Sequence, residues 1–119
     1  MKTDIDSLAI TVVIAMQGRT LATAESITGG QLGATITSIP GASQIFRGGV
    51  IAYATDLKSE LLGVSNSVLA DGGAVQAQVA LEMATGAAVK LNADFGLAVT
   101  GVAGPASQDG HLPGTVFVA

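Results

Sequence analysis

Apolar positions along the chain change period several times, and each change marks an element. Over residues 4–17, Ile5, Leu8, Ala9, Val12, Val13 and Met16 recur at helical spacing, with Asp4 or Asp6 near the start to suit the helix dipole. The β-branched run from Ile10 to Ile14 makes a strand the alternative, and Gly18 is the expected stop. Residues 20–25 form a short apolar strand, and residues 29–38 a helix that ends at Pro40-Gly41. Residues 46–54 read as a buried strand whose Gly48-Gly49 pair suggests a bulge or close packing. Thr55 or Asp56 then caps a short helix through Leu62, closed by Gly63, and Ser65 to Ala70 forms another helical piece. Beyond Gly72-Gly73, Val75, Val79, Ala80, Met83, Ala87 and Leu91 line one face of a longer helix. Residues 94–100 are a third apolar strand, residues 101–113 a polar loop rich in Gly and Pro, and residues 114–119 a last strand.

Strands alternating with helices predict one α/β domain over residues 1–119, a three-layer helix-sheet-helix sandwich with a mostly parallel or mixed sheet. In such sheets ligands gather beyond the carboxyl ends of the strands. Three polar or glycine-rich breaks lie there, Glu25–Gly30, Tyr53–Lys58 and Thr100–Pro105, and the topology predicts that they converge. The sequence stops inside an apolar strand, so a continuation or a partner is expected to cover that edge.

Composition narrows the function classes. Apolar residues make up 49% of the 119 positions but aromatics only 3%, so small aliphatic side chains fill the interior. The charged fraction, 12%, is about half the usual share, which predicts that part of the surface is covered in a homo-oligomer. A net charge of −4 and only five cations leave no basic stripe for nucleic acid. With no cysteine and one histidine, disulfides, thiolate metal sites and His-based zinc sites are excluded. The apolar run from Leu8 to Met16 is too short to span a bilayer, and its acidic flank is unlike that of a signal peptide. A cytoplasmic protein without a membrane partner is the expectation.

Candidate chemistry concentrates in Thr23-Ala24-Glu25-Ser26-Ile27-Thr28-Gly29-Gly30, a strand running into a tight turn that opens a helix. The turn sets a hydroxyl, Ser26 or Thr28, beside free backbone N–H groups suited to an anion or an oxyanion. The two glycines allow close approach of a ligand. The spacing fits neither a Walker A loop, a G-x-G-x-x-G fingerprint nor a G-x-S-x-G elbow, and an ordinary turn with Ser and Thr as helix caps is the plain alternative.

In series, Ala24-Glu25-Ser26-x-Thr28-Gly29-Gly30, Pro40-Gly41-Ala42-Ser43, Gly48-Gly49-Val50-Ile51-Ala52-Tyr53 with Lys58, Leu62-Gly63-Val64, Gly73-Ala74-Val75, Ala98-Val99-Thr100-Gly101-Val102-Ala103-Gly104-Pro105 and Gly114-Thr115-Val116 resemble the C-terminal domain of the competence/damage-inducible CinA family, which also occurs as a stand-alone nicotinamide-nucleotide amidase. The resemblance runs in order from about residue 5 to the end. It implies an amidohydrolase that converts nicotinamide mononucleotide to nicotinate mononucleotide and ammonia in pyridine-nucleotide recycling, often as an oligomer and without a metal or organic cofactor. The catalytic serine falls on Ser26 and its lysine partner on Lys58. Ile27 stands where many members have cysteine, and Gln76 stands where serine is usual, a change of helix cap. The loop Ala106-Ser107-Gln108-Asp109-Gly110 is less glycine-rich than in relatives, and the family domain continues past Gly114-Thr115-Val116 with a strand and helix.

Amide hydrolysis near neutral pH needs an activated nucleophile, oxyanion donors and an acid for the leaving ammonia. Lys58 must be neutral to act as base, which burial or a neighbouring cation would achieve; otherwise it is an exposed helix lysine pairing with Asp56 or Glu60. A histidine triad would have to use His111, which lies in the loop before Pro113. Tyr53 is placed to stack on a pyridinium ring or relay a proton, or else packs at a strand edge. Thr28, Gly29 and Gly30 offer backbone N–H to the oxyanion or to the substrate phosphate, and Arg47 is a candidate phosphate clamp or a solvated cation. Thr100, Gly101 and Gly104 form a second pocket wall, and Glu25 holds the turn. The alternative from another class is a non-catalytic nucleotide-binding or oligomerisation module.

Overall fold

Leu21-Ala22-Thr23-Ala24-Glu25 is buried at every position, which only a strand covered on both faces can be. The computed structural model describes residues 4–119, and the first three residues of the expected domain, Lys2 among them, lie outside that range. The elements are α1 (Asp4–Ala15), β1 (Leu21–Glu25), α2 (Gln31–Thr37), a 3₁₀ turn (Ala42–Gln44), β2 (Phe46–Ile51), α3 (Thr55–Leu62), α4 (Asn66–Gly72), α5 (Ala77–Lys90), β3 (Phe95–Gly101) and β4 (Val116–Val118). The sheet order is β2-β1-β3-β4, with β1 parallel to both neighbours and β4 antiparallel to β3. The fold is thus α/β with a mixed sheet.

Alternation along β1 feeds two cores. Ala22 and Ala24 point into a cluster with Ala98, Leu62, Val79, Met83 and Ala87, built with α3 and α5. Leu21 points the other way, onto Val13, Ile36, Ala42 and Ile45, under α1 and α2. These are the two outer helical layers. Among the described residues no helix is long and apolar enough to cross a membrane.

The periodic segments match the predicted elements to within a few residues, and α1 is a helix rather than the alternative strand. Three local expectations are corrected. β2 is an edge strand whose residues alternate between half-buried and exposed, because it has one neighbour, β1. Ala54, not Thr55 or Asp56, is the N-cap of α3, with no side-chain cap; Asp56 sits in the first turn, where its charge suits the dipole. Gln76 is the N-cap residue of α5 but does not cap it: its amide donates instead to the Val68 and Gly73 carbonyls, at 2.8 Å each. The glycine pair of β2 answers both expectations at once. The β1–β2 register skips Arg47, a bulge, and a Cβ on Gly49 would run into the Thr23 hydroxyl.

Helix α5 lies close against its neighbours through two more glycines. A Cβ on Gly86 would strike the Leu62 carbonyl at the end of α3, and one on Gly96 of β3 would strike the Ala84 carbonyl of α5. In an open helix, Gly→Ala stabilises by about 1 kcal/mol. Here overpacking against rigid backbone costs about 1–3 kcal/mol and decides the sign. Gly86→Ala should therefore lower the urea midpoint of unfolding despite its better helix propensity; a raised midpoint would refute this packing argument.

Candidate active site

Because β2, β1 and β3 run parallel, their carboxyl ends share one edge, and the segments leaving them meet there. Ser26 follows β1 directly, its N–H donating to Val99 O of β3 at 3.0 Å, and its side chain is buried. Lys58 comes from the first turns of α3 and reaches in from beneath; it is 1% exposed. Lys58 Nζ lies 2.8 Å from Ser26 Oγ, 2.7 Å from Ala52 O and 3.2 Å from Tyr53 O. No carboxylate takes part in that set, so the expected alternative of a surface pair with Asp56 or Glu60 does not hold. Burial, uncompensated by any anion, pulls the Lys58 pKa down from 10.5 to about 8.

The three partners suit a neutral amine. As an ammonium Lys58 donates to all three; once neutral, it keeps two N–H groups for the carbonyls of Ala52 and Tyr53 and has a lone pair free to accept the Ser26 hydroxyl proton.

Beside this pair the turn is held by Glu25, the last residue of β1. Its side chain, 2% exposed, accepts N–H from Gly30 at 3.2 Å and Leu32 at 2.8 Å on Oε1, and from Gly33 at 2.9 Å on Oε2. Burial alone would raise its pKa; the neighbouring Thr28 hydroxyl and the amides of Gly33, Leu32 and Gly30 outweigh that and hold it low. The Thr28 hydroxyl itself makes no hydrogen bond of good geometry. Glu25 thus caps α2 from the end of a strand, as expected of a residue that holds the turn.

That cap settles which N–H groups are spent. Gly30 donates to Glu25 and Gly29 to Ser26 O at 3.1 Å, so neither of these two expected donors is free for a ligand. Among the described residues nothing accepts from the N–H of Ile27 or Thr28, the two positions after Ser26.

A cavity of about 350 Å³ opens over Ser26 and Lys58. Tyr53, Thr100, Gly101 and Gly104 of the expected site line it, while Thr28, Gly29, Gly30 and Arg47 do not. Tyr53 is mostly exposed, at the rim. The Thr100 hydroxyl is committed to Ala74 O at 2.9 Å. Gly101 and Gly104 are glycine for the sake of neighbouring chain rather than ligand: a Cβ would meet Thr115 O from the first and Pro113 from the second. Arg47 sits near the amino end of β2, turned outward by the bulge, and donates from Nε to Leu91 O at the end of α5, at 2.6 Å. It caps a helix and clamps no ligand of this cavity. His111 lies outside the lining and meets Phe117 edge-on, ring centres 5.5 Å apart.

The sequence did not point to the Ile27 amide, to Ala74 and Val75 as a wall, or to Ser107 and Gln108 as polar lining. Gly73-Ala74-Val75 carried only a motif match, and the loop residues only a polar composition.

The chain matches the CinA C-terminal domain over residues 6–119. A CinA-like protein of Gloeobacter violaceus is 47% identical over 119 residues, covering 98% of this chain and 28% of that protein. A putative competence-damage inducible protein of Streptococcus thermophilus is 46% identical over 101 residues, covering 85% of this chain and 24% of its own length. The chain therefore spans about a quarter of the length of these curated relatives. Among solved structures, the competence damage-inducible protein A of Klebsiella pneumoniae superposes with a TM-score of 0.90 at 33% identity, over 96% of this chain and 73% of that one. The competence/damage inducible protein CihA of Agrobacterium tumefaciens gives 0.88 at 34% identity, over 100% and 81%. With nearly its whole length matched in sequence and in fold, the chain belongs to the CinA C-terminal domain family.

Proposed function

We propose that this domain is an amidohydrolase that converts nicotinamide mononucleotide to nicotinate mononucleotide and ammonia, with Ser26 as nucleophile and Lys58 as base. The observation that carries the reading is the buried contact of 2.8 Å between Lys58 Nζ and Ser26 Oγ, with no carboxylate beside the amine. A lowered pKa raises the neutral fraction of Lys58 at pH 7 by about 300-fold over an ordinary lysine. In the reaction, Lys58 takes the Ser26 proton as Oγ attacks the carboxamide carbon. The oxyanion that forms would be received by the Ile27 amide, a free donor of the turn beside Ser26 that lines the cavity. The Lys58 ammonium returns its proton to the departing nitrogen, ammonia leaves, and an ester on Ser26 remains. Water, deprotonated by Lys58, then attacks that ester and releases the carboxylate and Ser26. The family resemblance supplies the substrate; the cavity, open on one side and lined by Tyr53, supports a planar ring held near Ser26.

Ser26→Ala should retain nucleotide binding and lose turnover by on the order of 10⁴-fold or more. Lys58→Arg should be equally inactive, since arginine stays protonated. Ammonia release from the nucleotide decides it: turnover surviving either change removes that residue from the mechanism, and binding without turnover in the unaltered protein favours a non-catalytic module. The pH profile gives a second check. Lys58 carries a proton below its folded pKa and cannot act as base there, so kcat/KM should rise with pH through about 8 and level off above. A profile flat from pH 6 to 9 would contradict a lysine base.

We also propose that the domain self-associates. Ile5, Leu8 and Ile14 of α1 are exposed although large and apolar. Sedimentation velocity should show a species larger than the monomer at micromolar concentration, and a monomer throughout would overturn the proposal.

A further inference from the structure

The loop from Ala103 to Pro113 forms the upper wall of the cavity, yet nearly all of it is exposed. At its stem, Val102 N–H donates to Thr115 O at 2.9 Å and Gly114 N–H to Val102 O at 2.8 Å. At its tip, Gln108 and His111 exchange backbone bonds at 3.0 and 2.8 Å. These bonds are all internal. Among the described residues, the hydrogen bonds that tie the loop to the rest of the molecule are two accepted by Asp109 Oδ2, from Ala74 N–H at 3.0 Å and Val75 N–H at 3.3 Å. Gln108 Nε2 lies 3.4 Å from the same oxygen. The neighbouring backbone is shaped around the carboxylate: Gly73 has φ +78°, and a Cβ there would collide with Asp109. Thr100 grips the same segment from below, through Ala74 O.

We propose that Asp109 is a positioning residue: its carboxylate straps the loop across the cavity and fixes Ser107 and Gln108 where they meet bound substrate. Asp109 touches neither Ser26 nor Lys58, so it acts on binding and leaves the chemical step alone. Part of this rests on the amidase reading, because the bound molecule is the nucleotide of that reaction. The strap itself does not.

Two measurements on Asp109→Ala and Asp109→Asn separate the claims. Hydrogen exchange needs no substrate: the Ala74 and Val75 amides should exchange about tenfold faster or more in Asp109→Ala, with the β1 and β3 amides unchanged. Asp109→Asn keeps an acceptor oxygen and should fall between. Kinetics on nicotinamide mononucleotide should show KM raised about tenfold in Asp109→Ala with kcat within about threefold, and a smaller KM rise in Asp109→Asn. Unchanged exchange at Ala74 and Val75 overturns the strap, as does a fall in kcat at constant KM. If Asp109→Ala does not fold, Asp109→Asn decides alone: wild-type exchange and KM together would overturn the proposal. A wild-type protein without turnover defeats the amidase reading and leaves the exchange result to judge the strap.

Discussion

An amine with no counter-charge, sealed beneath a serine, is the constraint on which this domain turns. Lys58 is buried against two carbonyls and one hydroxyl, and the ends of two different strands present them. Ala52 and Tyr53 offer their carbonyls because β2 has ended and no strand partner takes them. Ser26 offers its hydroxyl because β1 ends one residue earlier and the chain bends away. An acid placed nearby would hold the lysine charged and keep its lone pair from accepting a proton. The chain carries nine acidic residues against five basic ones, and still none contacts this amine.

The same turn manages a second buried charge in the opposite manner. Glu25 keeps its proton off because the Thr28 hydroxyl and three amides surround it, and those amides are the Gly30, Leu32 and Gly33 donors at the start of α2. A seven-residue helix has little dipole to offer at a distance, and what it has is satisfied internally. Anion binding at the α2 terminus, the natural inference from two glycines before a helix, is therefore displaced. The free donors lie one step earlier, at Ile27 and Thr28, next to Ser26 rather than at the helix mouth.

Much of this was legible in the sequence, and most of the parts that were not share a cause. The strand and helix periods gave every main element, and the rule of strand ends brought Ser26, Tyr53, Lys58 and Thr100 around one cavity. Family motifs singled out Ser26 and Lys58. What failed was the assignment of groups whose partner is distant in sequence. Arg47 looked like a clamp because nothing local occupies it; its acceptor is Leu91, 44 positions on. Gly101 and Gly104 looked like ligand contacts because Thr115 and Pro113 return only through the loop. Gly30 failed for a different reason: its acceptor Glu25 is close in sequence, but no pattern shows that this side chain folds back onto the turn. Asp109 gave no signal at all, its partners lying 34 and 35 positions away. Periodicity reports which face a residue lies on; it is silent on which donor meets which acceptor.

The two buried charges also act on stability with opposite sign. Glu25 has a folded pKa below its unfolded value, so its contribution favours folding at neutral pH and is lost as the pH falls through the folded pKa. Lys58 has a folded pKa near 8 against 10.5 for the exposed group, so the unfolded chain binds the extra proton and folding is disfavoured below about 8. That penalty fades only as the pH climbs from about 8 past 10.5. At neutral pH the fold around Ser26 is thus stabilised by the carboxylate that ends β1 and weakened by the lysine that reaches in from α3. The group that carries the proposed chemistry is the one that costs the fold, and Glu25, the better-satisfied neighbour, gives the turn the rigidity that holds Ser26 over it.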